Sequence, residues 1–194
     1  MKHFDYFAPT EIIFGAGRVT EAGALAARYG KKAMLVTVPE FPAVAELYAK
    51  VKKSLADAGV ACVHYDGVIP NPTTELVTRG AELAKAEGVD VVIGLGGGSS
   101  MDTAKAIAVE ATHPGTAWDY NCHTAGPTEQ TLPILAISTT AGTGSQTTPC
   151  AVITKTSAKD KSAIWNKNIF PRAAHCRSRG YPFPARQRNC ADRF

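Results

Sequence analysis

The 194-residue sequence lacks features that define several classes of protein. No apolar run approaches the roughly 20 residues that a membrane-spanning helix needs, and the first residues carry no secretory signal pattern. The five cysteines are scattered, with no CxxC pair and no spacing typical of a zinc site. These absences predict a soluble, cytoplasmic protein with reduced thiols and no membrane partner.

Excess positive charge is confined to the end of the chain. The net charge is +4, and residues 175–194 contain five arginines against one aspartate. The preceding residues are neutral overall, which argues against a nucleic-acid partner for them. Residues 175–194 contain no Leu, Ile, Val or Met. We therefore predict an α/β domain over residues 1–174 and an arginine-rich, non-globular tail over 175–194, either foreign sequence from a shifted reading frame or a basic arm.

Short apolar runs alternate with helical patterns between residues 11 and 138. Residues 89–95 are almost entirely apolar, as in a strand buried on both faces of a parallel sheet. The alternation predicts an α/β fold, a Rossmann-like parallel sheet with flanking helices. The predicted strands are residues 11–14, 33–36, 61–65, 89–95 and 134–137, and the predicted helices are 20–29, 44–55, 74–87 and 100–109.

A glycine loop follows the apolar run and leads into a predicted helix. Gly96, Gly97 and Gly98 are consecutive, and Ser99 comes next. Glycines let backbone N–H groups approach a phosphate, and the helix N-terminus adds its partial positive charge. The pattern favours a dinucleotide phosphate site, with a turn that serves only strand–helix packing as the alternative.

Two other loops are relevant to this hypothesis. Residues 15–17 (Gly-Ala-Gly) also lie between a strand and a helix, but they lack the third glycine and the serine, so we interpret them as a structural turn. Residues 138–145 are rich in hydroxyl groups and follow the last predicted strand. Because parallel sheets bind ligands at the carboxyl ends of their strands, this loop and the glycine loop are predicted to share one ligand. A solvated turn is the alternative.

Asp102 and Lys105 lie three residues apart in the helix predicted after the glycine loop. Asp102 either orients a bound ligand or is a first-turn acid that favours the helix dipole, and the residue pattern leaves both open. The five histidines are dispersed without an HExxH pattern, so no metal ligand is predicted. No catalytic residue is assigned.

Four motifs resemble, in order and spacing, those of the iron-type (group III) alcohol dehydrogenases. They are residues 9–17, 70–73, 96–105 and 138–145. The resemblance covers nearly all of the chain except the tail. It implies that the chain corresponds to the family's dinucleotide-binding half, which has a dehydroquinate synthase-like fold, and that this half binds NAD or NADP.

The resemblance also implies a cofactor-binding role for a set of residues. The pyrophosphate would be held by Gly97, Gly98 and Ser99, and Asp102 would lie near the nicotinamide. Hydroxyl groups from residues 139–143 would line the adenosine and phosphate side. The complete predicted set is Asn71, Gly96, Gly97, Gly98, Ser99, Asp102, Thr139, Thr140, Thr143 and Lys161.

One residue bears on the choice between NAD and NADP. Glu40 follows the second predicted strand, where a carboxylate accepts from a ribose hydroxyl and repels a 2′-phosphate. The sequence therefore leans towards NAD.

The family's second half is a helical domain in which one aspartate and three histidines bind Fe²⁺ or Zn²⁺, and this sequence has no match to those ligands. We therefore expect the cofactor-binding half of an NAD(P)-dependent, metal-dependent enzyme that interconverts primary alcohols and aldehydes by hydride transfer. Alone, the chain should have negligible turnover. The resemblance also implies a homo-oligomer. The alternative is a non-catalytic dinucleotide-binding or subunit-interaction module.

Overall fold

The computed structural model of the protein describes His3 and residues 7–176. Within residues 7–176 the chain forms eight strands and four α-helices, joined by loops and short 3-10 turns. The strands are β1 (Glu11–Phe14), β2 (Lys32–Val36), β3 (Ala61–Tyr65), β4 (Val91–Gly96), β5 (Ile134–Ser138), β6 (Cys150–Lys155), β7 (Asp160–Trp165) and β8 (Ala173–Cys176). The helices are α1 (Ala22–Ala26), α2 (Pro42–Asp57), α3 (Thr74–Glu87) and α4 (Gly98–Glu110).

Six of the strands form one parallel sheet in the order β1-β8-β5-β4-β2-β3. The predicted α/β fold class with a Rossmann-like sheet is confirmed. β4 is buried along its whole length, as its almost continuous apolar sequence predicts. Its neighbour β5 runs in register with it, so that Gly96 and Ser138 stand side by side where the two strands end. The loops that follow these strands therefore begin next to each other.

Helices cover both faces of the sheet. Apolar side chains from α1 and α2 pack on one face, and side chains from α3 and α4 pack on the other. The spacing of Val44, Leu47, Val51 and Leu55 places all four in the first of these cores. No helix among the described residues is long and apolar enough to cross a membrane.

Local signals fix the ends of α3 as the sequence predicts. The hydroxyl of Thr73 caps its N-terminus by accepting from the N–H of Leu76 at 3.4 Å. At the other end Gly88 has a φ of +62°, in the left-handed region that favours glycine. The helix therefore begins directly after the turn that contains Asn71. The position of α3 holds this turn at the edge of the site described below.

The antiparallel hairpin of β6 and β7 has no counterpart among the predicted elements. It docks on the α3 end of the molecule, where the N–H of Thr154 donates to the carbonyl of Pro72 at 2.9 Å. The hydroxyl of Thr156 donates to the Glu75 carboxylate at 2.6 Å. Within the hairpin, β6 is the strand that packs against α4.

Three predicted boundaries are corrected by the structure. The helix expected over residues 20–29 is a 3-10 turn, Arg18–Glu21, followed by the five-residue α1. The helix expected from residue 100 begins at Gly98, because the glycine loop itself forms its first turn. The folded region also extends beyond residue 174, since His175 and Cys176 belong to β8 and pair with β1. The remainder of the predicted tail lies outside the described residues.

Candidate functional site

The turn between β4 and α4 contains a single residue, Gly97. Gly97 occupies the N-cap position without a side-chain hydrogen bond, and the first turn of α4 contains no acidic residue. The first backbone N–H groups of a helix have no partner inside the helix, and the helix dipole makes this end partly positive. The start of α4 is therefore suited to a phosphate group.

Two of the glycines are required by their surroundings. Gly96 has a φ of +144°, and a Cβ atom there would lie 2.5 Å from the Ser100 hydroxyl oxygen. A Cβ atom on Gly98 would lie 2.6 Å from the Thr143 Cγ2 atom. The close approach at Gly98 comes from the loop after β5, so the two polar loops predicted from the sequence are in contact.

That second loop, residues 139–149, is called the β5–β6 segment below. Its first residue, Thr139, donates its N–H to the Gly96 carbonyl at 3.0 Å. The Ser138 hydroxyl donates to the Thr140 carbonyl at 3.0 Å. Further along, the N–H of Ser145 donates to the Thr143 hydroxyl at 3.2 Å. The segment therefore starts beside the glycine loop and folds back over the beginning of α4.

Two adjoining clefts lie between α4, the β5–β6 segment and the β6–β7 hairpin. The first has a volume of about 280 Å³ and contains six of the ten predicted cofactor-binding residues. It is lined by Asn71, Pro72, Gly98, Ser99, Asp102, Thr143, Val152 and Lys161. The second, about 240 Å³, shares three of these residues and is lined by Asp102, Thr143, Ser145, Thr148, Cys150, Val152 and Trp165.

The other four predicted residues lie at the adjoining strand ends. Gly96 and Thr139 are joined by the backbone hydrogen bond described above. A Cβ atom on Gly97 would stand 3.4 Å from the Thr140 hydroxyl oxygen, so this pair is also adjacent. These four residues do not line either cleft directly.

Asn71 and Lys161 form the far wall of the first cleft. Asn71 has a φ of +54°, a left-handed conformation that asparagine tolerates better than most residues. The Lys161 ammonium group, from β7, donates to the Asn71 side-chain oxygen at 2.8 Å. This bond joins the turn before α3 to the hairpin and leaves an exposed positive charge opposite the start of α4.

Asp102 lies between the two clefts and is held by two donors. Its carboxylate accepts from the Ser145 hydroxyl at 2.6 Å and from the N–H of Val152 at 3.1 Å. Burial raises the pKa of Asp102 above its usual value, and these hydrogen bonds act in the opposite direction. Of the two sequence interpretations, a simple surface acid that favours the helix dipole does not account for these bonds to the opposing loop and hairpin.

Lys105, for which no role is predicted from its sequence context, is fully buried. Its ammonium group donates to four oxygen atoms between 2.7 and 2.9 Å away: the carbonyls of Ser145, Thr148 and Cys150 and the Ser145 hydroxyl. The sequence contains one sign that Lys105 is buried: it interrupts an apolar stretch of α4 that continues to Val109. Its partners lie 40 to 45 residues further along the chain, which no local pattern reveals.

One of the dispersed histidines, His113, is held by contacts inside the fold. The His113 ring is buried, accepts from the N–H of Thr128 at 2.9 Å and contacts the Val109 carbonyl at 2.9 Å. Within the part of the chain that the structure describes, no three His, Cys, Asp or Glu side chains come together to hold a metal ion.

Comparison with known proteins shows what the chain is similar to. Residues 9–177 match the family described as iron-containing alcohol dehydrogenase. The choline dehydrogenase of Bacillus subtilis is 46% identical over 158 residues, which are 79% of this chain and 39% of that protein. The chain thus spans well under half of the length of this relative.

Two solved structures have the same fold. An archaeal halo-thermophilic alcohol dehydrogenase from a Red Sea brine pool is 41% identical with a TM-score of 0.85, over 90% of this chain and 46% of that one. The sulfoacetaldehyde reductase of Bifidobacterium kashiwanohense, solved in complex with NAD⁺, is 30% identical with a TM-score of 0.77, again over 90% and 46% of the two chains.

Proposed function

The chain belongs to the iron-containing alcohol dehydrogenase family, and from this premise we propose that it binds a nicotinamide dinucleotide in the two adjoining clefts. The observation that carries the proposal is the contact of the glycine loop with the β5–β6 segment at Gly98 and Thr143. It supplies a helix N-terminus free of a side-chain cap and a facing row of hydroxyl groups. Both fit a pyrophosphate.

Different parts of the proposed ligand lie in different parts of the two clefts. The pyrophosphate lies at the start of α4, with backbone N–H groups of Gly98 and Ser99 on one side and the Lys161 ammonium group on the other. Gly96, Gly97, Thr139 and Thr140 shape the floor and the adenosine side. Asp102, at the junction of the clefts, orients the nicotinamide half.

Glu40 supports NAD rather than NADP as the ligand. It is exposed, and it lies beyond the end of β2, the strand next to β4 in the sheet. A carboxylate there accepts hydrogen bonds from ribose hydroxyl groups and repels the 2′-phosphate of NADP. The relatives include an NAD-dependent methanol dehydrogenase from Bacillus methanolicus, 35% identical to this chain.

The activity that we propose for a protein containing this domain is the interconversion of primary alcohols and aldehydes. The nicotinamide ring supplies the hydride acceptor or donor when bound. The residues of this chain bind and orient the dinucleotide, and the β5–β6 segment covers it from water. The described residues contain no group of side chains that could hold a metal ion.

A second candidate is a dinucleotide-binding or subunit-interaction module without turnover, and the same absence of a metal donor set among residues 7–176 favours it. Alcohol oxidation assays of the 194-residue chain, with and without added Fe²⁺ or Zn²⁺, separate the two candidates. Metal-dependent oxidation contradicts the binding module. Self-association, which stays a prediction, is measured by size-exclusion chromatography with light scattering.

Cofactor binding is tested by titrating the full chain with NADH and with NADPH while following nicotinamide fluorescence. We expect saturable binding, tighter for NADH. Glu40→Gln should improve NADPH binding relative to NADH, whereas Glu82→Gln, at an exposed site on α3, should leave the ratio unchanged. Absence of binding by the folded chain overturns the proposal.

A further inference from the structure

Lys105 connects three points of the loop that closes the site. The carbonyls that it contacts belong to Ser145, Thr148 and Cys150, which cover the end of the β5–β6 segment and the start of β6. An ammonium group has three N–H donors, and all three are directed at these oxygen atoms or at the Ser145 hydroxyl. This part of the segment contains a 3-10 turn over Ser145–Thr147.

Hydrogen bonds connect the residues shared by the two clefts to this cluster, directly for Asp102 and Thr143 and through Asp102 for Val152. The hydroxyl of Ser145 donates to Asp102 at 2.6 Å, and its N–H donates to the Thr143 hydroxyl at 3.2 Å. The N–H of Val152, two residues after the Cys150 carbonyl, donates to Asp102 at 3.1 Å. Asp102, Thr143 and Val152 are the three side chains that line both clefts.

We propose that Lys105 is a positioning residue for the dinucleotide site, holding the β5–β6 segment so that Thr143, Asp102 and Val152 stand around the bound ligand. Lys105 itself touches no cleft and acts through Ser145 and the two carbonyls. The binding part of this inference rests on the proposed function. The placement of the segment does not, because it is measurable without a ligand.

The charge of Lys105 contributes to this role. Burial lowers its pKa to about 8, and Asp102 on α4 and Cys150 on β6 are the titratable groups that face it. It therefore carries its proton at neutral pH. The neutral amine has two N–H donors and directs a lone pair at a carbonyl oxygen, so deprotonation removes at least one of the hydrogen bonds that hold the segment.

The test compares three variants of the full chain. Lys105→Met removes every donor, and Ser145→Ala removes only the link through the hydroxyl group. Ile107→Ala is the matched control: it lies on the same helix and is equally buried, but it packs towards Gly80 on α3. Each variant is titrated with NADH at pH 7 after circular dichroism has established that it is folded.

Lys105→Met should bind NADH about tenfold more weakly, since several hydrogen bonds to a charged donor are lost. Ser145→Ala should bind only a few-fold more weakly, and Ile107→Ala should match the unmodified chain. Unchanged affinity in folded Lys105→Met overturns the proposal.

Two further readouts keep the proposal testable. In a Trp118→Phe background, Trp165, which pairs with Cys150 across the hairpin, reports the position of the segment without any ligand. Its emission should shift in Lys105→Met and not in Ile107→Ala; equal emission overturns the proposal even if no chain binds NADH.

In the unmodified chain, NADH affinity should fall as the pH rises through about 8. An NADH affinity that does not change with pH overturns the proposal. If the pH midpoint of the affinity change is the same in Cys150→Ser, the titrating group is Lys105 and not the thiol.

Discussion

The described residues contain two glycine turns that connect a parallel strand to a helix, and the proposed dinucleotide site lies at one of them. The turn at residues 15–17 follows β1 at the edge of the sheet and leads into a four-residue 3-10 turn. The turn at residues 96–98 follows β4 inside the sheet and leads into the 13-residue α4. A Cβ atom on Gly17 meets nothing within 4 Å, whereas one on Gly98 meets Thr143.

The two turns differ in what lies opposite them. Gly15 and Gly17 have φ values of +151° and +81°. Among the described residues, a Cβ atom on Gly15 would meet the side chain of Arg18, whereas one on Gly98 meets Thr143 of the facing β5–β6 segment. The inner turn has a neighbouring strand on each side, and β5 supplies that opposing loop. The following predictions alter one turn and compare it with the other.

The largest effect is expected from Gly98→Val. The new side chain occupies the space of Thr143 and blocks the backbone N–H groups, so NADH affinity should fall about a hundredfold. The measurement is the NADH titration described above. Gly17→Ala is the paired control at the outer turn and should leave the affinity unchanged. Strong NADH binding by Gly98→Val contradicts the assignment of the inner turn as the phosphate site.

The second largest effect is a change of stability with pH, caused by the titration of Lys105 on the helix that follows the inner turn. Its pKa is about 8 in the folded chain, below the ordinary value of 10.5. Between these values the unfolded chain holds more protons at this position, so Lys105 makes the free energy of unfolding rise with pH, by up to about 3 kcal/mol. Below pH 8 its unfavourable contribution is fully present. NADH affinity should fall over the same range.

Urea unfolding of the unmodified chain and of Lys105→Gln at pH 7 and pH 10 measures this contribution as a difference. Glutamine does not titrate, so the difference excludes cysteines and tyrosines elsewhere. If the free energy of unfolding changes equally with pH in the two chains, the prediction for Lys105 is wrong.

A smaller effect on stability is expected from Gly17→Ala at the outer turn. Because φ is +81° and the surroundings are open, the cost is backbone strain alone, about 1 kcal/mol. Urea unfolding measures it. A loss several times larger would mean that the outer turn has contacts comparable to those at Gly98.

The smallest effect concerns single hydroxyl groups. Thr140→Ala at the inner site should weaken NADH binding about threefold through one lost hydrogen bond, with little change in stability because Thr140 is exposed. Thr20→Ala removes a 3.1 Å hydrogen bond to the Gly17 carbonyl and should leave binding unchanged. Equal effects of the two variants would contradict the distinction between the turns.

Much of the fold could be predicted from the sequence because its signals are local. The strands β1 to β5 and the helices α2 and α3 follow from apolar period and from caps such as Thr73 and Gly88. The hairpin was missed because β7 begins with Asp160 and Lys161, which carry little strand character. β8 was not predicted, and the domain was expected to end at residue 174. The pairing of β8 with β1 and β5 overrides the polar composition around His175.

The site could be predicted only in part, for a related reason. The glycine loop and the hydroxyl-rich loop are recognisable as motifs, and the structure places six of the ten predicted residues in one cleft. That cofactor role stays a prediction. The function of Lys105 depends on oxygen atoms from residues 145 to 150, and the number of acceptors around a side chain is a property of tertiary structure alone.

The burial of Lys105 also makes it a probe for covalent labelling. Amine-reactive reagents attack the neutral form of a lysine, and a pKa of about 8 gives Lys105 a large neutral fraction in mild base. Its nitrogen is nevertheless enclosed, whereas Lys161 across the cleft is exposed. Mass spectrometry of a timed labelling reaction should therefore find Lys161 modified early. The slower rate at which Lys105 becomes modified would measure how frequently the β5–β6 segment opens.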